Sequence, residues 1–217
     1  MNKNKIFDWQ NILEKSNEFH NSKPFPFGFI KNVIHKKMYE KLCQTFPKED
    51  EKWHHVTDWS RASIKRYFNS KQKNAHAIDV ENKLLSEEWN KFHHYLFSKE
   101  CIDNFSSYTG LELTGLRQFA FINNHKGHFN MPHNHFGESQ NGKESYQATF
   151  LMYFTKGWID DVGGTYVCKN EDEESIIFEP RDLDNSMIGF AETPVSWHGS
   201  RYITRDAIRH SIQFTLY

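Results

Sequence analysis

The second half of the chain is broken into short apolar runs, near 116–123, 146–154, 164–168, 175–178, 186–190 and 207–216. Turn residues separate them: Asn123-Asn124, Gly142, Gly163-Gly164 and Asp184-Asn185. Runs this short, rich in β-branched and aromatic residues, read as strands rather than helices. Many short strands with frequent turns must close on themselves or stack in two layers, which predicts a sandwich or jelly roll. Nineteen Phe residues and an aromatic content of 16% suit such a β-rich core.

The first half is mixed. Phe27 to Ile34 reads as a short strand, and Met38, Tyr39, Leu42, Cys43 and Phe46 recur at helical spacing before Pro47 stops the pattern. Leu84, Leu85, Trp89, Phe92 and Leu96 form a second amphipathic stripe, expected to run on past Ile102 and Phe105 to Gly110. Trp53 to Phe68 shows no clear period and reads as loop with a short strand. With no linker and 217 residues, the expectation is one domain over 1–217. Residues 1–110 would be a helical and mixed support, and 111–217 a mainly β core, a double-stranded β-helix (jelly roll) with flanking helices. Glu171 to Glu174 reads as a solvated hairpin tip.

Charge excludes several roles. Lys and Arg number 27 against 28 Asp and Glu, so no global field draws the chain to nucleic acid or to anionic lipid. No apolar run reaches the roughly 20 residues that span a bilayer, and Met1-Asn2-Lys3-Asn4-Lys5 leads into no secretory h-region. Cys43, Cys101 and Cys168 are odd in number and lack CxxC spacing, which predicts a reducing, cytoplasmic setting.

Chemistry concentrates in three places. In Met131-Pro132-His133-Asn134-His135, an extended backbone would point His133 and His135 the same way, where two imidazoles can chelate one divalent metal. An HxH in a chain with 13 His is often incidental, so a third ligand from a distant strand is needed. His198, after the strand Met187-Ile188-Gly189-Phe190 and the turn at Pro194, is the candidate. In the last strand, period two puts Arg209, Ser211 and Gln213 on one face and Ile208, Ile212 and Phe214 on the other. So polar a face in so apolar a strand suggests a lined pocket. The Arg209 fork with the Ser211 hydroxyl is suited to a carboxylate. A metal site beside such a clamp is equipment for an α-keto diacid on iron.

The segment from about Leu116 to Tyr217 resembles the catalytic core of the prolyl 4-hydroxylase-like branch of the Fe(II)/2-oxoglutarate-dependent dioxygenases. The motifs run in the family's order: Pro132-His133-Asn134-His135, Ala148-Thr149-Phe150-Leu151-Met152-Tyr153, Gly163-Gly164-Thr165-Tyr166, His198-Gly199 and Arg209-His210-Ser211. The resemblance implies Fe(II) on His133 and His198, and 2-oxoglutarate as co-substrate. Its distal carboxylate would lie on Arg209, with Ser211 beside it and the Tyr153 hydroxyl in support. It further implies an oxygen-dependent hydroxylase that releases succinate and CO2. The substrate is unnamed, and the oligomeric state is not legible.

One departure stands out: His135 occupies the place of the family's Asp ligand. Three readings follow. His135 is a true third ligand, the preferred one; or it turns away and leaves an open two-His site; or the site is inactive. Glu138 would lie on the wrong side of a turn to substitute. The alternatives to the hydroxylase are a three-His iron dioxygenase without 2-oxoglutarate and a non-catalytic metal-binding module.

Bland readings accompany each of these residues. His133 and His198 could be hydrogen-bonded core histidines, and Arg209 a structural ion pair, although a buried Arg needs a partner. His93, His94, His125 and His128 are expected to be structural or solvated. Trp53, His54, His55, Trp59 and Arg61 are expected to form a packed corner rather than a cleft, and Trp158 and Trp197 to be core packing or pocket wall.

Overall fold

A computed structural model describes residues 6–69, 76–136 and 147–217. Gly142 and Glu138, singled out in the sequence, lie outside the described residues. The strands are β1 (Phe27–Lys31), β2 (His54–Asp58), β3 (Arg61–Tyr67), β4 (Leu116–Asn124), β5 (Phe129–His133) and β6 (Ala148–Phe154). They continue with β7 (Thr165–Cys168), β8 (Ile176–Phe178), β9 (Asp184–Ala191), β10 (His198–Ser200) and β11 (Arg209–Leu216). The described helices are α1 (Trp9–Leu13), α2 (Ser16–Asn21), α3 (Lys36–Gln44), α4 (Glu87–Leu96) and α5 (Lys99–Thr109).

The strands form one curled antiparallel sheet in the order β1-β9-β6-β11-β4-β3-β5-β10-β7-β8, with β2 on β3. Strand β3 makes the fold close. Its later residues pair with β4, through Ile64 opposite Asn123, while its first residues pair with β5, through Arg61 opposite Asn130. The large face β1-β9-β6-β11-β4 and the small face β5-β10-β7-β8 are thereby joined into the jelly-roll core.

Period two sorts the large face. On β6, Phe150, Met152 and Phe154 join the helices in one apolar cluster, while Leu151 and Tyr153 join a second cluster inside the roll. Strand β11 repeats this: Ile212, Phe214 and Leu216 pack outward with Phe105 and Trp89, and Arg209, Ser211 and Gln213 face in. A strand buried on both sides shows no hydrophobic alternation, so β6 reads as the continuous run Ala148 to Phe154.

The structure corrects the sequence reading at three elements. The long helix expected from Leu84 to Gly110 is two helices, because Ser98 takes an extended backbone and caps α5 with its hydroxyl on the Cys101 N–H. Leu84 is exposed and outside α4. The segment Trp53 to Phe68 is a regular hairpin, β2-β3, rather than loop. Strand β10 escaped notice for its length of three residues, and Gly199 shows why it is tolerated: a Cβ there would lie 2.5 Å from both the Asn130 carbonyl and the Tyr166 hydroxyl. Among the described residues, no helix is long and apolar enough to cross a membrane.

Candidate metal centre and carboxylate pocket

Backbone pairing brings two of the histidines together. His133 ends β5, His198 begins β10, and the two are direct cross-strand partners, with ring centroids 4.4 Å apart. His135 lies two residues beyond the end of β5, so the shared strand face expected for His133 and His135 does not carry it there. The chain turns after His133, and the His135 ring still comes within 5.0 Å of each of the other two. The three residues each offer one nitrogen, all within 4.8 Å of one another, a group able to hold a metal ion.

The tautomers are set from behind. His133 Nδ1 lies 2.8 Å from the Met131 carbonyl, and His198 Nδ1 lies 2.8 Å from the Ser196 carbonyl. A carbonyl only accepts, so each Nδ1 carries the proton and each Nε2 keeps its lone pair. His135 Nδ1 is 3.3 Å from the Glu192 carboxylate instead. Burial, then the neighbouring His135, pushes His133 down to about 3, and burial with the adjacent His133 holds His198 well below the usual imidazole range. Both are therefore neutral near pH 7, the state in which imidazole ligates a metal.

Arg209 shares the cavity with this group. Its Nη2 donates to the Asn124 side-chain oxygen at 2.7 Å, its cross-strand neighbour on β4. Its Nε and Nη1 are buried and have no partner, and neither does the Ser211 hydroxyl. Burial lowers the Arg209 pKa, against the opposing effect of Tyr153. Tyr153 sits opposite Ser211 across β6-β11, with its ring 5.9 Å from the guanidinium carbon. Its hydroxyl accepts from the Thr165 N–H at 2.7 Å, so its own proton is left to give. Three orphaned donors on one strand are costly and stand where a carboxylate could satisfy them. The donor sets fit both an iron ion and a keto diacid.

Several contributors were missed or misassigned in the sequence reading. Arg61 and Lys65, from the hairpin, line the cavity and the groove of about 330 Å³ that adjoins it. Arg61 thus leaves the packed corner expected of it, whereas Trp53 is buried with its indole N–H on the Lys48 carbonyl, and Trp59 is exposed. Glu192 had no spacing to reveal it. Trp158 is core, buried in the inner cluster. The remaining histidines are structural or surface groups: His93 stacks on Phe68 at 3.6 Å, His94 meets Asp79 and His125 meets Glu49.

No family model matches the sequence, and no curated protein matches it. Solved structures do. A Pseudomonas putida prolyl-4-hydroxylase aligns over 96% of this chain and 97% of its own, at TM-score 0.65 and 10% identity. A Trichoplax adhaerens prolyl hydroxylase, solved with a hypoxia inducible factor oxygen degradation domain peptide, aligns over 96% and 91%, at 0.67 and 14%. A Burkholderia pseudomallei oxidoreductase of the 2OG-Fe(II) oxygenase family aligns over 96% and 90%, at 0.63 and 11%. Along nearly its whole described length, this chain has the fold of the prolyl 4-hydroxylases and 2OG-Fe(II) oxygenases.

Proposed function

We propose that this chain is an Fe(II)- and 2-oxoglutarate-dependent dioxygenase that hydroxylates its substrate and releases succinate and CO2. The observation that carries it is the buried Arg209, with two donors unpaired in the same cavity as three converging histidines. His133, His135 and His198 hold the iron through Nε2. Arg209 takes the distal carboxylate of 2-oxoglutarate with its unpaired N–H groups, with Ser211 and Tyr153 donating beside it. When bound, iron and keto acid supply the oxygen activation. The protein's share is to orient and to exclude water. Residues 1–110 and 111–217 act as one catalytic domain, since β3 supplies Arg61 and Lys65 to the site. The three reduced cysteines suit the cytoplasm.

Substrate enters along the groove walled by Arg61, Lys65, Gln118 and Gln213. Its described lining includes no carboxylate side chain, and Asp58 pairs with Arg61 at its edge. That lining suits an acidic or acceptor-rich peptide over a cationic one. The test is succinate release from the iron-loaded protein with and without oxygen, then with peptides of graded charge. Release that needs iron, oxygen and 2-oxoglutarate is expected, stimulated most by acidic peptides. Oxygen uptake without keto-acid consumption would favour the three-His dioxygenase, the reading that His135 in place of Asp supports and the orphaned Arg209 opposes.

A further inference from the structure

His135 differs from its two companions by its partner. His133 and His198 each give the Nδ1 proton to a neutral carbonyl, whereas His135 gives it to the carboxylate of Glu192. That carboxylate is fully enclosed, with 0% of its side chain exposed. Its other contacts are the Thr149 hydroxyl, which donates to the same oxygen, and the Ser196 hydroxyl at 3.4 Å on the second. A carboxylate removed from water is costly unless charge or strong donors compensate it. Two hydroxyls, of which Ser196 lies nearer the Thr193 carbonyl at 2.8 Å, and one imidazole N–H are modest compensation. A cation on the far side of that imidazole would complete it.

The position of the pair matters as much as its burial. Glu192 follows β9 and is pinned by its own backbone, whose N–H donates to the Gln147 carbonyl at 2.9 Å. Thr149 lies on β6, and Ser196 lies in the turn before β10, whose carbonyl also fixes His198. The carboxylate is thus set by β6 and by the β9–β10 connection that also fixes His198. Among the described hydrogen bonds it is the one carboxylate that touches the histidine group. Three neutral imidazoles around a divalent ion leave the centre one charge more positive than two imidazoles and an Asp would.

Resting on the metal-centre reading above, we propose that Glu192 is a positioning residue that orients His135 through Nδ1. It also supplies, one hydrogen bond behind the metal, the negative charge that a carboxylate ligand would supply directly. A carboxylate on Nδ1 fixes the ring and raises the basicity of Nε2. The pair then acts as a composite ligand in place of an anionic side chain.

The test is a cycle of four proteins, wild type, Glu192→Gln, His135→Asp and the double variant, titrated anaerobically with Fe(II), with Co(II) visible spectra read in parallel. Gln keeps the shape and can still accept from His135, so the first substitution removes charge alone. With His135 in place, Glu192→Gln weakens Fe(II) binding about 10- to 100-fold and shifts the Co(II) bands. In the His135→Asp background the sign inverts. There Glu192 faces a second carboxylate with no imidazole between them, and Glu192→Gln strengthens binding. A mere support of the fold would weaken both backgrounds alike, and that result, or unchanged affinity in the first, overturns the proposal. If Glu192→Gln does not fold, Thr149→Val takes its place, by removing the hydroxyl that holds the carboxylate. It weakens Fe(II) binding severalfold, and unchanged affinity counts against the proposal. Wild-type protein that binds no Fe(II) ends the metal-centre reading itself, a distinct result.

Discussion

Ile212, Phe214 and Leu216 leave β11 on one side and enter a shell of aromatic rings; Arg209, Ser211 and Gln213 leave it on the other, where Arg209 and Gln213 line a cavity. The outward row is finished. Phe214 stacks on Phe150 at 5.1 Å and meets Phe105 edge-on at 5.5 Å, and even the polar His210 donates through Nδ1 to the Asn123 side-chain oxygen at 2.7 Å. The inward row is unfinished, since Arg209 Nε and Nη1, Ser211 Oγ and Thr215 Oγ1 are all buried without a partner. The same strand therefore spends one face on stability and holds the other ready for a ligand. Local rule-breaking of that kind belongs at functional sites.

Substituting one residue from each row separates the two faces. Phe214→Ala removes a fully buried ring from the outer shell and should cost about 3–5 kcal/mol of folding stability, by urea denaturation. The folded fraction should bind 2-oxoglutarate as before. Arg209→Met should do the reverse. It removes an unpaired buried charge, so the ligand-free protein should lose no stability. Keto-acid affinity should fall by about 2–5 kcal/mol, roughly 30- to 5000-fold, while Fe(II) still binds. Unchanged 2-oxoglutarate affinity in calorimetry would remove Arg209 from the clamp.

This division was legible in the sequence wherever one face is polar. Period two in Arg209-His210-Ser211-Ile212-Gln213-Phe214 sorted both rows within β11, because a half-polar strand displays its own register, whereas Ile208, placed with the apolar row, is exposed before the strand begins. It was illegible in Ala148 to Phe154, buried on both faces, where Tyr153 stood out only through the family resemblance. Helix ends were legible at Gly110, whose left-handed φ of 69° caps α5, and illegible at Ser98, a residue that in sequence could equally sit inside a helix. Glu192 and Lys65 were missed, and Arg61 was assigned to a packed corner, for a plainer reason. Their roles depend on which strands meet across the roll, and no spacing along the chain encodes that.

The outer layer has exceptions, and His93 is a titratable one. His93 on α4 is 2% exposed, stacks on Phe68, and has no partner for Nε2. Burial pushes it down to about 4, with Asp79 opposing. The unfolded chain takes up a proton below about pH 6.5 that the native state refuses, so this group's stabilisation is complete above pH 6.5 and lost as pH falls toward 4. His93→Leu should remove about 2–3 kcal/mol of the stability lost between pH 7 and pH 4.5. Denaturation at the two pH values measures it. An acid loss undiminished in the variant would place the acid sensitivity in the roll, on His133 and His198, rather than in the helical layer.

The smallest effect is expected at the residue that departs most from the family it resembles. His135→Asp exchanges a neutral imidazole for a shorter anionic oxygen ligand, which by itself strengthens the hold on a divalent ion. It also removes the N–H that Glu192 accepts from, and sets two carboxylates near each other in an enclosed site. These terms oppose, and Fe(II) affinity should stay within about tenfold of wild type, a net of about 1.4 kcal/mol at most. His135→Ala has the loss without the gain. It leaves two imidazoles and an unbalanced Glu192, and should bind Fe(II) more weakly than either. Comparing the three by anaerobic titration separates ligand from bystander: an Ala variant with wild-type affinity would mean that His135 never reaches the metal. The centre would then be His133 and His198 alone, with a position open for an exogenous anion such as chloride, whose effect on the Co(II) spectrum would show it.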